Sequence, residues 1–266
     1  MRIVKGLIIF NIILIILSLT LSAYAAGNYS IETRNIREGV FTINYSISHN
    51  DKVKVMVQKD GTSLYYNLSK GKGAETFPLQ MGTGKYTIAV LENISDNRYK
   101  EVLNETVETE NSNPLIVYLQ SIQLVNWDKE SEVVEIAREL TKDKKSAEEK
   151  VKTIYDYIIH NYSYDLGKEE LSYDYLPDND KLIKSKKGMC YDFSSLFASM
   201  LRSIDVPTKL VKGYADKAKG YHAWNEVYID GKWKVIDTSY DAQMAQNGHD
   251  YAMYKDSSTY NKVSEY

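Results

Sequence analysis

Two strand-like runs, HAWNEVYI (222–229) and KWKVID (232–237), meet at Asp230-Gly231, and this junction constrains the fold more than any other stretch of the chain. Period-two alternation marks half-buried strands, and an Asp-Gly pair between them favours a two-residue type I′ turn, whose twist matches theirs. A loop that short selects one register: Ile229 opposite Lys232, Tyr228 opposite Trp233 and Trp224 opposite Asp237. His222 then stands diagonally from Asp237 on one face, roughly 7 to 8 Å away at the backbone, a gap that imidazole and carboxylate can close. An aspartate so placed fixes the ring tautomer and stabilises the imidazolium, leaving the other ring nitrogen for a further partner.

The single cysteine of the chain is that partner. Gly188 gives the backbone freedom for a sharp turn, and beyond Cys190 the residues Phe193, Leu196, Phe197, Met200 and Leu201 recur at helical spacing. Cys190 is therefore expected at a helix N-terminus, where free N–H groups and the positive end of the dipole stabilise a thiolate. Asp192 suits the same dipole and can cap N–H groups, but its charge opposes a thiolate and calls for a neighbouring cation, for which His222 is the candidate. Taken singly, a cysteine is more often a small buried hydrophobe, and a strand histidine is more often structural. The joint arrangement of Cys190, His222 and Asp237 points to thiol-based acyl transfer.

These residues resemble a known family. The pattern G-M-C-x-D followed by a helix, then H-A-W-N-E-V and W-K-V-I-D-T, is similar to the transglutaminase-like superfamily, strongly from about Tyr155 to Asp241 and more weakly upstream to about Asp128. The resemblance implies a papain-like α+β fold with Cys190 as nucleophile, His222 as general base and acid, and Asp237 as orienter. It also implies attack on amide groups of proteins or peptides through a thioester, resolved by an amine in cross-linking or by water in deamidation. A cysteine peptidase or amidase on the same fold, or an inactive binding or structural protein of the cell envelope, are the alternatives. Two family features are absent: no tryptophan aligns as an oxyanion donor, Trp127 being the nearest upstream, and Asp237 is followed by Thr238 instead of proline. Tyr164, in the tyrosine-rich connection before the cysteine, is the first candidate for the missing donor.

At 266 residues there is room for two domains. Residues 1–25 read as a signal peptide, with Arg2 and Lys5 ahead of an apolar run and a small-x-small Ala23-Tyr24-Ala25; an uncleaved membrane anchor is the alternative. The expected location is secreted or cell-surface, with membrane contact only through that segment if it is retained. Export leaves an unpaired Cys190 as a free thiol. The formal net charge of −3 becomes −5 without residues 1–25, which gives no electrostatic case for nucleic acid. One cysteine and scattered histidines make a metal site unexpected, and the chemistry requires no cofactor. The expected partner is a protein or peptide substrate, cell-envelope material by the export reading.

Residues 26–121 read as a small all-β domain, an immunoglobulin-like sandwich: VFTINYSI, KVKVMV, KYTIAVLE and LIVYLQ are period-two or β-branched runs between glycine-containing turns. Residues 122–266 read as the transglutaminase-like domain. Val133, Ile136, Ala137 and Leu140 share a helical face, and Ser146 with Glu149 forms a capping box for a second helix carrying Val151, Ile154, Tyr155, Ile158 and Ile159. Asn161–Lys187 reads as a long connection without structure of its own, and the tail from Ala242 as a surface segment. His160 suits a helix C-terminus, and His249 is a second-choice base without strand context.

Overall fold

A computed structural model describes residues 28–47, 52–110, 113–167, 172 and 174–266. The expected signal segment lies outside the described residues. The chain divides into two compact units, one of residues up to 37 and 41–110, the other of residues 38–40 and 111–266.

The first unit is all β. Its strands are β1 (Tyr29–Glu32), β2 (Val40–Ile47), β3 (Val53–Lys59), β4 (Thr62–Asn67), β5 (Gly71–Pro78), β6 (Gly84–Ser95) and β7 (Arg98–Thr109). They form a three-stranded sheet, β1-β2-β5, and a four-stranded sheet, β4-β3-β6-β7. Val53, Val55 and Val57 alternate inward along β3, and the interior is closed by Tyr66 of β4 against Phe77 of β5, ring centroids 5.2 Å apart. Each sheet thus buries one face against the other, as expected for a small sandwich. Asp60 and Gly61 take φ of 49° and 80° in the β3–β4 turn, the left-handed pair a type I′ turn demands.

The second unit is α+β. Its helices are α1 (Glu132–Thr141), α2 (Ala147–Asn161), α3 (Asn179–Ser185), α4 (Cys190–Arg202) and α5 (Thr238–Gln246). Its strands are β8 (Ser163–Tyr164), β9 (Lys187–Gly188), β10 (Thr208–Ala215), β11 (His222–Ile229), β12 (Lys232–Ile236), β13 (Tyr254–Lys255) and β14 (Tyr260–Glu265). Five of these strands make one antiparallel sheet in the order β13-β12-β11-β10-β14. The capping box of α2 forms as its sequence requires: Ser146 Oγ accepts from Glu149 N, and the Glu149 carboxylate accepts from Ser146 N.

Helix α4 is buried along its whole length, packed among α1, α2 and the sheet through Phe193, Leu196, Phe197 and Met200. A helix enclosed on all sides must satisfy its polar groups internally. Ser195 Oγ donates to Leu124 O at 2.9 Å, Ser194 Oγ donates to Cys190 O at 2.8 Å, and Asn225 Nδ2 on β11 donates to Ser194 O at 2.9 Å. Arg202, 1% exposed, donates to the carbonyls of Thr208, Gln120 and Tyr266, each at 2.8 Å. Burial pulls its pKa down to about 9, still well above neutrality.

One expectation is corrected and one is extended. The connection 161–187 is not structureless: β8 and β9 pair in parallel, and α3 is capped by Asp178 and stopped by Lys186 at φ 55°. Seven residues are too few to display a helical period, which hid α3. The tail does run over the surface, with no residue after Ala242 buried, but it is built of regular elements: the end of α5, β13 and the edge strand β14, paired with β10. Its outward charges are neutralised by ion pairs, Lys262 with Glu226 and Glu265 with Lys209, so a strand is built from residues that read as solvated.

Candidate active site

The β11–β12 hairpin is built as its turn dictates. Asp230 and Gly231 have φ of 51° and 78°, Ile229 faces Lys232, and Tyr228 faces Trp233. The ladder ends at Asn225 with Ile236, so the expected pairing of Trp224 with Asp237 does not form. Asp237 has left the strand, at φ −123° and ψ 88°, to cap helix α5. The diagonal contact forms all the same, with His222 Nε2 at 2.7 Å from Asp237 Oδ2.

Every acceptor position of Asp237 is used. Oδ1 accepts from Tyr240 N and Ser239 Oγ, both at 3.0 Å, while Oδ2 accepts from His222 and, at 3.0 Å, from the Tyr260 hydroxyl on β14. The carboxylate is 1% exposed, so these bonds determine its orientation. Burial disfavours its charge, but the bond to His222, the imidazolium charge and the helix-cap bonds outweigh that and lower its pKa. Tyr260 was not anticipated; it lies 23 residues beyond Asp237 on a strand that sequence reading missed.

Cys190 opens helix α4, as expected, at 7% exposure. Asp192 Oδ2 accepts from Met189 N at 2.8 Å, and its other oxygen accepts from the Tyr175 hydroxyl, so its charge is engaged by donors. Gly188 is required by packing and not by backbone freedom: a Cβ there would stand 2.7 Å from Leu182 Cδ1 and 2.9 Å from Asp192 Cβ. Cys190 lies close enough to the His222 ring to contribute to its ionisation. Since Nε2 is committed to Asp237, Nδ1 is the nitrogen left for sulfur. Burial works against the imidazolium, yet its interactions with the Asp237 carboxylate and Cys190 as acceptors, and their charges, raise the His222 pKa to about 10.

The structure thus brings Cys190, His222 and Asp237 together. His249 is exposed past the end of α5, and His160 is exposed on α2 with Nδ1 2.7 Å from Asp156 O. The β8–β9 pairing sets Tyr164 beside Gly188, two residues from Cys190, close enough for Cys190 to act on the ionisation of its phenol. Burial first, then the charge and side chain of Cys190, push the Tyr164 phenol up to about 12 against the opposing effect of the Cys190 backbone, so it stays protonated at neutral pH.

Residues 134–238 match the sequence profile of the transglutaminase-like superfamily, a span that includes Cys190, His222 and Asp237. The chain is 29% identical over 119 residues to kyphoscoliosis peptidase of Mus musculus, covering 40% of this chain and 18% of that protein. It is 32% identical over 117 residues to the YebA protein of Bacillus subtilis, covering 35% of this chain and 15% of that protein. The chain thus spans less than a fifth of the curated relatives it matches. Among solved structures it is similar to a candidate cysteine protease from Cytophaga hutchinsonii, with 17% identity and a TM-score of 0.47, covering 85% of this chain and 75% of that one. A helix that begins at the one cysteine and a hairpin that joins a histidine to a buried aspartate both contribute to the stretch, residues 134–238, that is similar to the transglutaminase-like superfamily.

Proposed function

We propose that this is an exported thiol enzyme that opens amide groups of cell-envelope proteins or peptides through a thioester on Cys190. The observation that carries this reading is the placement of the His222 ring between Cys190 and the buried Asp237, with the Asp237 bond at 2.7 Å. The Cys190 thiolate attacks the amide carbonyl carbon, and the carbonyl π electrons move to oxygen. That oxyanion takes the Cys190 backbone N–H in place of the Tyr164 hydroxyl oxygen that engages it in the free protein, and the adjacent Tyr164 hydroxyl serves as the second donor. As the C–N bond breaks, the His222 Nδ1 proton goes to the leaving nitrogen. A second nucleophile, water or an amine, then gives its proton to His222 and attacks the thioester, and C–S cleavage restores the thiolate. Asp237 holds the ring tautomer and stabilises its charge throughout.

The chemistry before the thioester is common to cross-linking, deamidation and peptide hydrolysis. Incubation with a glutamine-containing peptide and a labelled primary amine separates them. Amine incorporation identifies a transferase, and release of ammonia or peptide without incorporation identifies a hydrolase, in line with the peptidase name of the mammalian relatives. Neither product, from protein whose thiol alkylates normally, would leave only a binding role.

A further inference from the structure

Lys212 lies on β10 directly opposite Ala223, the residue after His222. It shares a sheet face with Leu210, which packs in one buried cluster with Cys190, Tyr191 and Ala223. Its ammonium stands 3.5 Å from the centroid of the Tyr191 ring and 5.5 Å from that of Tyr266, and it interacts by charge with Cys190. Two other lysines of this unit with little exposed side chain have carboxylate partners: Lys209 pairs with Glu265 at 2.9 Å, and Lys255 pairs with Asp241. Among the described residues, Lys212 has no acidic partner. Aromatic faces offset part of what desolvation takes from an ammonium, but they do not replace a counter-ion. Burial accordingly pulls its pKa down to about 8, an effect the Cys190 charge partly opposes. The slot is not sealed: Lys212 is only partly buried, and Tyr214, two residues on along the same face, and Tyr221 are each 53% exposed and meet edge to face at 5.5 Å.

We propose that Lys212 forms an anion subsite beside Cys190 that binds a carboxylate of the peptide substrate close to the amide under attack. The inference rests on Cys190 being the nucleophile, and it makes Lys212 a specificity-determining residue. Such a charge steers and registers an acidic substrate and repels a lysyl ammonium arriving as acyl acceptor.

The test uses two alkylating agents of nearly one size, anionic iodoacetate and neutral iodoacetamide, on the full chain. The ratio of their second-order rates at Cys190 reads the local charge independently of any substrate. In Lys212→Met that ratio should fall about tenfold, with iodoacetate carrying the loss, and Lys212→Arg should retain most of it. Lys212→Gln, a second neutral variant, should agree with Lys212→Met, and the wild-type preference for iodoacetate should shrink with added salt. If both reagents slow in proportion and the ratio holds, Lys212 serves the thiol alone and the subsite is overturned. A wild-type Cys190 that resists both reagents in the folded protein would overturn the thiol reading itself, and this inference with it. Competitors then identify the carboxylate. Protection from iodoacetamide by N-acetylglutamic acid α-amide indicates a side-chain carboxylate, and protection by N-acetylalanine indicates a chain-terminal one. Equal protection by neutral N-acetylalaninamide would count against an anion subsite.

Discussion

Asp237 carries more of this site than its one expected partner implies. It caps α5, accepts from Tyr260 and holds His222, all while buried. Asp237→Asn keeps the shape but removes the charge that stabilises the imidazolium, so alkylation of Cys190 at neutral pH should slow by ~10 to 1,000-fold. His222→Ala should slow it at least as much. The double variant should lose little beyond His222→Ala, because the two residues act as one unit; additive losses would break that coupling. The pair also sets a pH signature. His222 is raised from an ordinary value of 6.5 to about 10, so its contribution to stability is complete below pH ~6.5 and is lost as pH rises through about 10. Asp237 is lowered, so its contribution is present above the ordinary carboxylate range and is lost on acidification. Urea midpoints of wild type and His222→Ala should therefore differ most near pH 6 and converge toward pH 10.5.

At the scale of elements, local rules made the hairpin and the helix that opens at Cys190 legible. Asp230-Gly231 admits one turn type, which determined the Tyr228–Trp233 register, and helical spacing from Phe193 to Leu201 put Cys190 at a helix start. What stayed hidden depends on distant partners. Strand β14 reads YNKVSE, polar enough to look solvated, because its glutamate and lysine are neutralised by residues of β10 and β11 fifty-six and thirty-six positions away. Lys212 looks like an ordinary solvent-facing strand lysine until Tyr191 and Tyr266 are seen around it. The β10–β14 contact is close enough to test directly: a Cβ on Gly213 would lie 2.1 Å from Asn261 O. Gly213→Ala should pry β14 from β10 and destabilise the unit by about 1–3 kcal/mol. A urea midpoint equal to that of wild type would show that the approach relaxes without loss.

At the scale of the molecule, the catalytic unit reaches back before the helices. Gln120 O accepts from the buried Arg202 guanidinium, and the Tyr118 hydroxyl donates to Glu265 at 2.8 Å. A fragment of residues 111–266 should therefore unfold at higher urea than one of residues 122–266. The shorter one leaves a buried charged donor unsatisfied, at a cost of about 1–3 kcal/mol. Equal midpoints would place residues 111–121 outside the cooperative unit.

Strand β14 is the outermost strand of its sheet, paired on one side only, and it carries Tyr260, the second donor to Asp237 Oδ2. Edge elements open at lower free energy than the cores they flank. Each time β14 lifts, Tyr260 leaves, and Asp237 keeps His222 but loses the hydroxyl that shared its oxygen. The reactive centre should thus have a melting point of its own, below that of the protein. Along a urea titration, the enhanced reactivity of Cys190 should fade while far-ultraviolet ellipticity is still native, and amide protons of β14 should exchange ahead of those in β11. Coincident curves would mean that this edge opens only when everything does.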